Sequence, residues 1–201
     1  LGRIGGLTYM MDATVRLTTS ALDQGEKPAV LTAIAKRYLT ESMRQVINDA
    51  MDVHGGRGIC LGPSNYRGRT YQSIPVAITV EGANILTRSM MVFGQGAMRC
   101  HPYLQQEIEA ASLEDADEAL IRFDEALMSH IGYTISNAAR ALLYGLTGGL
   151  AAPAPVSGAT ATYYRQVGRY SAAMSAMADL ALLTLGGALK RKEAISGRFA
   201  D

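Results

Sequence analysis

From Ala29 to Val53 apolar side chains recur every three or four residues: Leu31, Ile34, Tyr38, Leu39, Met43, Val46, Ile47, Ala50 and Met51. That period lines one face of an α-helix, and a helix this long must lay its stripe against other elements to be stable. Pro28 opens the run and His54-Gly55-Gly56-Arg57-Gly58 stops it abruptly, as helix starts and stops require. The same signature recurs along the chain. Ile4 to Leu22 carries Leu7, Met10, Met11, Thr14, Leu17 and Leu22, and Gly25 ends it. Gly82 to Phe93 reads as a helix with Ile85, Leu86, Met90 and Phe93 on its apolar side. Gly94 and Gly96 loosen its end and His101-Pro102 breaks the chain. After a weak capping signal at Ser112-Leu113-Glu114-Asp115, a long helix bears Leu120, Phe123, Leu127, Ile131, Ile135, Ala138 and Leu142. Gly148 to Gly158 is a Gly/Ala/Pro linker, and a last helix runs from about Thr160 to Lys192. Two further stretches resist a helical reading. Ile59 to Pro75 is loop-rich, and Pro75 to Val80 (PVAITV) suits a short strand or an extended loop. The expected fold is all-α, an antiparallel helical bundle over residues 1–111 followed by an additional helical region over 112–201.

Composition narrows the function. Of 201 residues 48% are hydrophobic, enough for a sizeable core. A net charge of +1 gives no global attraction to nucleic acid. Cys60 and Cys100 lack CxxC spacing and are expected as reduced thiols in a cytoplasmic protein. The histidines His54, His101 and His130 are widely spaced without a ligand pattern, so no metal site is expected. Ala172 to Leu189 is long and mostly apolar, but Asp179 in its middle and Gly186-Gly187 near its end favour a packed bundle helix over a membrane span. The start at Leu1 and the end at Asp201 read as a piece of a longer protein.

Three features carry candidate chemistry. The His54-Gly55-Gly56-Arg57-Gly58 run offers unobstructed backbone N–H groups and a guanidinium, either a pyrophosphate cradle or a plain glycine helix stop. The turn conformation is expected at Gly56. Glu81 is the only acid between Asp52 and Glu107. Flanked by Val80 and Gly82, it is either a partly desolvated general base or a helix-start carboxylate. Arg57, Arg67, Arg69, Arg88 and Arg99 cluster around it in sequence, as an anion-binding face or a solvated surface.

Taken together these pieces become specific. The order Ala33-Ile34-Ala35-Lys36, helix, HGGRG, connecting loop, Val80-Glu81-Gly82, then Ala83-Asn84-Ile85-Leu86-Thr87-Arg88 resembles the C-terminal bundle domain of acyl-CoA dehydrogenases. The stretch ITVEGANILTRSMMVFGQGAMRCHPY is similar to the large bacterial fatty-acid-degrading form, and residues from about Leu113 onward resemble its additional helical region.

The resemblance implies FAD as cofactor, a fatty acyl-CoA substrate, an electron-transfer flavoprotein as acceptor and a homo-oligomer. It makes Glu81 the catalytic base, with Gly82 beside the substrate. It puts Asp52, Gly55, Gly56, Ala83 and Ile85 at positions that approach the flavin. Asp52, Ala83 and Ile85 stand where common relatives carry Gln, Thr and Gln, so they lack the usual side-chain donors and leave backbone contacts. Val80 stands where an aromatic is usual, and Gln72-Ser73-Ile74 where Arg-Asp-Ala is usual, so a rearranged loop is expected there. Two other classes remain open at this point. One is a helical interaction or peripheral membrane module, in which Lys190-Arg191-Lys192 meets lipid on the inner face of the cell membrane. The other is a flavin-dependent acyl-CoA oxidase.

Overall fold

The computed structural model of the chain describes residues 1–65 and 67–201, and among the described residues every regular element is helical. In chain order the α-helices are α1 (Gly2–Asp23), α2 (Ala29–His54), α3 (Gly56–Ile59), α4 (Arg67–Thr79), α5 (Asn84–Leu86), α6 (Gly96–Cys100), α7 (Leu104–Ala111), α8 (Ala116–Leu146), α9 (Ala161–Leu185) and α10 (Glu193–Ala200). A π-helix, Thr87–Gln95, separates α5 from α6, and a 3₁₀ helix, Gly186–Arg191, separates α9 from α10. The chain forms two compact units, one of Leu1–Gly96 with Ser196–Asp201 and one of Ala97–Ile195. The sequence boundary at 111/112 falls inside the second unit, in the turn between α7 and α8.

In the first unit α2 is the element on which the others pack. Its buried residues, Ala33, Ala35, Ser42, Ile47 and Ala50, are mostly small, which allows close approach. Helix α1 returns antiparallel to it. Gly25, at φ +84, turns the chain at one end, and Arg3 pairs with Asp49 at the other. The inner side of α1 is Ile4, Leu7, Met11, Thr14, Thr18 and Ala21, whereas Met10, Leu17 and Leu22 of the expected stripe are exposed. Helix α4 also runs antiparallel to α2. Ile78 lies beside Lys36, and residues 68–72 line one cleft with residues 48–52.

Residues 75–80 correct the sequence reading: Pro75 to Thr79 are the last turn and a half of α4, neither strand nor extended loop. Propensity lost to packing. Ile74 is buried, and the Pro75 carbonyl accepts the Thr79 hydroxyl at 2.8 Å. The loop-rich reading of 59–75 missed the start of this helix. Asn65 Oδ1 accepts the backbone N–H groups of Arg67 (2.9 Å) and Gly68 (2.8 Å), the role of a helix N-cap. Its Nδ2 meanwhile donates to the Gly58 carbonyl at 2.8 Å, fixing α4 to the glycine run.

The helix expected over 82–93 is also corrected. Residues 80–83 form a turn, α5 begins at Asn84, and the wider π-helix follows. Widening to i→i+5 bonds rotates side chains away from the 3.6 period. Of the expected apolar side only Phe93 is buried, beside Asn84, Thr87, Ser89 and Gly94, while Ile85, Leu86 and Met90 are exposed. The end of α10 belongs to this unit. Phe199 stacks on Phe93 with centroids 4.4 Å apart, and Arg88 and Arg37 both pair with Asp201.

The second unit is built on the α8–α9 pair. Asp115 accepts from Asp117 N (2.9 Å) and Glu118 N (3.1 Å), so the cap lies at the end of the Ser112–Asp115 signal. Gln166 reaches the Gly148 carbonyl, Ser175 meets Tyr133 and Asp179 meets Thr134, so the two helices are antiparallel. The apolar stripe expected on α8 matches its inner face only at half-buried Phe123 and Leu127. Ile131, Ile135 and Leu142 are exposed, while Ala126, His130, Tyr133, Thr134 and Asn137 turn inward. The last long helix stops at Leu185, short of the expected Lys192. Gly186 adopts φ 50, ψ −134 there, a conformation side chains resist. By length and composition Ala161–Arg191 could cross a membrane. Its Asp179, however, is buried and hydrogen-bonded within the unit.

The pairing of Asp201 predicts an acid limit for α10. Its hydrogen bonds to Arg88, reinforced by the charges of Arg88 and Arg37, hold the carboxyl below its ordinary value. A depressed folded value contributes stability above the unfolded pKa of about 3.9 and loses it as pH falls through the folded value. Acidification from pH 6 to below about 4 should therefore release residues 196–200 before α2 opens. Hydrogen exchange read along the chain checks this; equal protection of both segments across that range counts against it.

Candidate functional site

Glu81 sits in the turn that joins α4 to α5. Its φ is +55, the only positive value at a non-glycine residue among those described, and Gly82 follows at +87. For a residue with a Cβ this backbone costs about 1–2 kcal/mol and persists only where the surroundings hold it. The holding groups come from α2. Lys36 Nζ donates to the Gly82 carbonyl at 2.7 Å, to Asn84 Oδ1 at 2.7 Å and to the Ile78 carbonyl at 3.3 Å. Asn84 is buried, and its Nδ2 donates to Thr40 Oγ1 (2.9 Å) and Glu41 Oε1 (3.0 Å). The Glu81 side chain, by contrast, projects from the turn exposed, as do Val80 and Gly82. The expected desolvation by its flanking residues is thus corrected: in a left-handed turn the neighbours do not fold over the carboxylate. Lys36 and Asn84 were present in the sequence only as parts of the A-I-A-K and A-N-I-L-T-R runs. A lysine among the apolar positions of a stripe was the available sign.

The glycine run lies at the far end of α2. Gly55 takes φ 56, ψ −137, whereas Gly56 has ordinary helical backbone in α3. The special conformation therefore belongs to Gly55 and not to Gly56, because the reversal falls at the residue that ends α2. A Cβ at either position would meet nothing within 4 Å, so the backbone faces open space. His54, Arg57, Cys60, Asn65 and Arg67 border a cleft of about 620 Å³ beside it, a donor-rich lining suited to an anion. Asp52 is exposed and borders a different cleft, of about 540 Å³, with Asn48, Met51, Tyr71 and Gln72. Glu81, Gly82, half-buried Ala83 and exposed Ile85 thus group near residues 36–41 of α2, while Asp52, Gly55 and Gly56 group at its end. At 1.5 Å rise per residue the two groups are on the order of 20 Å apart in one chain.

The second unit brings together residues that sequence spacing kept apart. His101 Nε2 lies 3.0 Å from Asp179 Oδ1, His130 Nε2 lies 3.9 Å from the same oxygen, and His130 Nδ1 lies 2.7 Å from Glu107 Oε1. The reading of the histidines as partnerless is corrected, since the α6–α7 connection supplies His101 and α7, α8 and α9 supply Glu107, His130 and Asp179. His101, His130 and Asp179 have the donor types of a metal site. Hydrogen bonding argues otherwise. His101 Nδ1 accepts the backbone N–H groups of Leu104 (3.0 Å) and Tyr103 (3.3 Å), so the proton sits on Nε2 and is donated to Asp179. A metal on Nε2 would require that proton to leave with Nδ1 still facing two donors. Thr134 donates to the other Asp179 oxygen at 2.8 Å. The cluster is a satisfied polar seam between helices.

Residues 98–201 match the family described as acyl-CoA dehydrogenase, C-terminal, bacterial type. Residues 3–94 match the acyl-CoA dehydrogenase C-terminal domain. No solved structure matches the chain.

Two substitutions follow from this geometry. Gly55→Ala should destabilise the first unit by about 1–3 kcal/mol, whereas Gly56→Ala, at an open helical position, should leave it unchanged or stabilise it by up to about 1 kcal/mol. A urea titration of both variants tests the assignment, and equal losses would return the special turn to Gly56. Asp179→Ala should cost about 1–3 kcal/mol for each donor left without an acceptor, with Asp179→Asn recovering part. A titration matching the unsubstituted chain would show that the seam does not hold the unit together.

Proposed function

The chain belongs to the acyl-CoA dehydrogenase family, and from that premise we propose that it supplies the catalytic base and part of the flavin cradle for α,β-dehydrogenation of a fatty acyl-CoA. The observation that carries this reading is Glu81. It is a carboxylate held at a glycine-like backbone position and exposed, and it stands where the resemblance puts the base of the family's E-G pair. Its task is to remove a proton from the carbon α to the thioester, and the product is a trans-2-enoyl-CoA, as fatty acid β-oxidation requires. That proton becomes acidic only when the carbonyl oxygen is hydrogen-bonded, and the backbone N–H of the base residue is one donor the family uses there. When bound, FAD supplies the acceptor for the hydride that leaves the β carbon. Gly55, Gly56 and Arg57 suit its diphosphate, through open backbone and a guanidinium. Asp52 adds no positive charge, and Ala83 and Ile85 offer only backbone.

The separation of the two residue groups along α2 supports a site shared between copies of the chain. The carboxylate would come from one copy and the glycine turn from another, in a homo-oligomer. Electrons would then pass to an electron-transfer flavoprotein.

In the full-length flavoprotein, Glu81→Gln should lower turnover with a dye acceptor by about 10³-fold or more, because the amide keeps the shape and cannot take the proton. Flavin absorbance should be retained. Turnover near that of the unsubstituted enzyme would remove Glu81 from the reaction.

A further inference from the structure

We propose that Lys36 and Asn84 are positioning residues for proton abstraction, acting through the backbone of Glu81. The proposal rests on the reading of Glu81 as the base. An ammonium group has three protons, and Lys36 directs them to the Ile78 carbonyl, the Gly82 carbonyl and Asn84 Oδ1. The two carbonyls bracket Glu81, three residues before it and one after. Anchoring both to a single cation fixes where the intervening chain can go. The cation is itself rooted in α2. Asn84 adds the second anchor, since its amide is tied to Thr40 and Glu41, one helical turn beyond Lys36. The Thr40 hydroxyl donates to the Lys36 carbonyl at 2.8 Å, which turns its lone pair toward Asn84.

This arrangement leaves the Glu81 side chain untouched while immobilising its backbone. A base needs that combination: the carboxylate must be free to meet a substrate proton, yet start from one place. Without the anchors, φ at Glu81 would relax from +55 toward the negative values ordinary for a residue with a Cβ. That rotation swings the Cα–Cβ bond and displaces the carboxylate by more than an ångström, a misplacement that costs on the order of 10²-fold in rate. A lysine that merely capped the C-terminal end of α4 would need only the Ile78 carbonyl, and that is the longest of its three bonds.

The test uses the full-length flavoprotein and 3,3-dimethylbutanoyl-CoA, which has α protons and no β hydrogen. Exchange of its α protons in deuterium oxide, followed by mass spectrometry, reads deprotonation without oxidation. Lys36→Met and Asn84→Ala should each slow exchange by about 10- to 100-fold, with flavin occupancy and probe affinity within about two-fold of the unsubstituted enzyme. Lys36→Arg should recover part of the rate. Thr40→Val removes only the hydroxyl bridge, so it carries the test should Lys36→Met fail to fold. It should slow exchange by about 3-fold or more. Unsubstituted rates in these variants, or a loss confined to probe affinity, overturn the proposal. Glu81→Gln separates the two readings. Exchange persisting there sinks the base assignment, whereas exchange lost there and intact in Lys36→Met leaves the base standing and removes only its anchors.

Discussion

Burial of Ala33, Ala35, Ser42, Ile47 and Ala50 along α2 lets α1, α4 and the π-helix approach one rod closely, and the first unit is arranged by that approach. Gly96 illustrates the tolerance. A Cβ there would come within 3.0 Å of Val30 Cγ1, at the start of α2. Because the packing residues are small, the longer side chains of the same helix reach past them to the turns beyond. Lys36 does this toward the α4–α5 turn, and Asp49 toward Arg3 on α1. The helix thus fixes two candidate regions at a set separation: the carboxylate turn beside its first half and the glycine reversal at its end. Straight helices transmit position well, so neither region can shift along the rod without repacking α1 and α4.

How far the sequence revealed this depends on which period ruled each segment. α2 and the two long helices of the second unit carried a 3.6-residue signal over many turns, and they are helices. The signal failed where something other than burial of apolar side chains set the inner face. In α8 Phe123 and Leu127 of the stripe turn inward, but beyond them the inward positions are His130, Tyr133, Thr134 and Asn137, so the apolar stripe identified a helix and assigned its face correctly only near its start. In the π-helix the period itself is different. In α4 the β-branched run and Pro75 pointed to an extended chain, and contact between Ile74 and the bundle outweighed them. Glu81 was legible as an isolated acid beside a glycine. Its left-handed backbone was not, since that depends on Lys36, 46 residues before the carbonyl it anchors. No local pattern carries information over that distance.

The polar interior of the second unit has a consequence for its outside. With Asp179, His101 and Thr134 occupying the seam, Met177, Leu180 and Leu183 of α9 remain exposed, as do Ile131 and Ile135 of α8. These five border one cleft of about 690 Å³, which His130, Thr134 and Asp179 of the seam also line. A hydrogen-bonded seam fixes which residues face one another more strictly than interchangeable apolar contacts do. It contributes less to stability than the same area of hydrocarbon would. The unit therefore combines a well-specified helix register with apolar surface of the kind that interaction sites use.

A carboxylate at φ +55 connects these threads. Glycine would occupy that position without strain, and Asn or Asp would tolerate it better than Glu. Local preference alone therefore argues against glutamate at residue 81. The fold nevertheless surrounds the turn with charge-assisted hydrogen bonds from Lys36 and a buried amide from Asn84, which stabilise the backbone without engaging the carboxylate. Had the side chain served stability, an ion pair with Lys36 would be the expected use of an acid so near a cation. The ammonium protons go to two carbonyl oxygens and an amide oxygen instead. Strain at a single residue, offset by neighbours that leave its carboxylate free, is what the proposed role of Glu81 as a base requires.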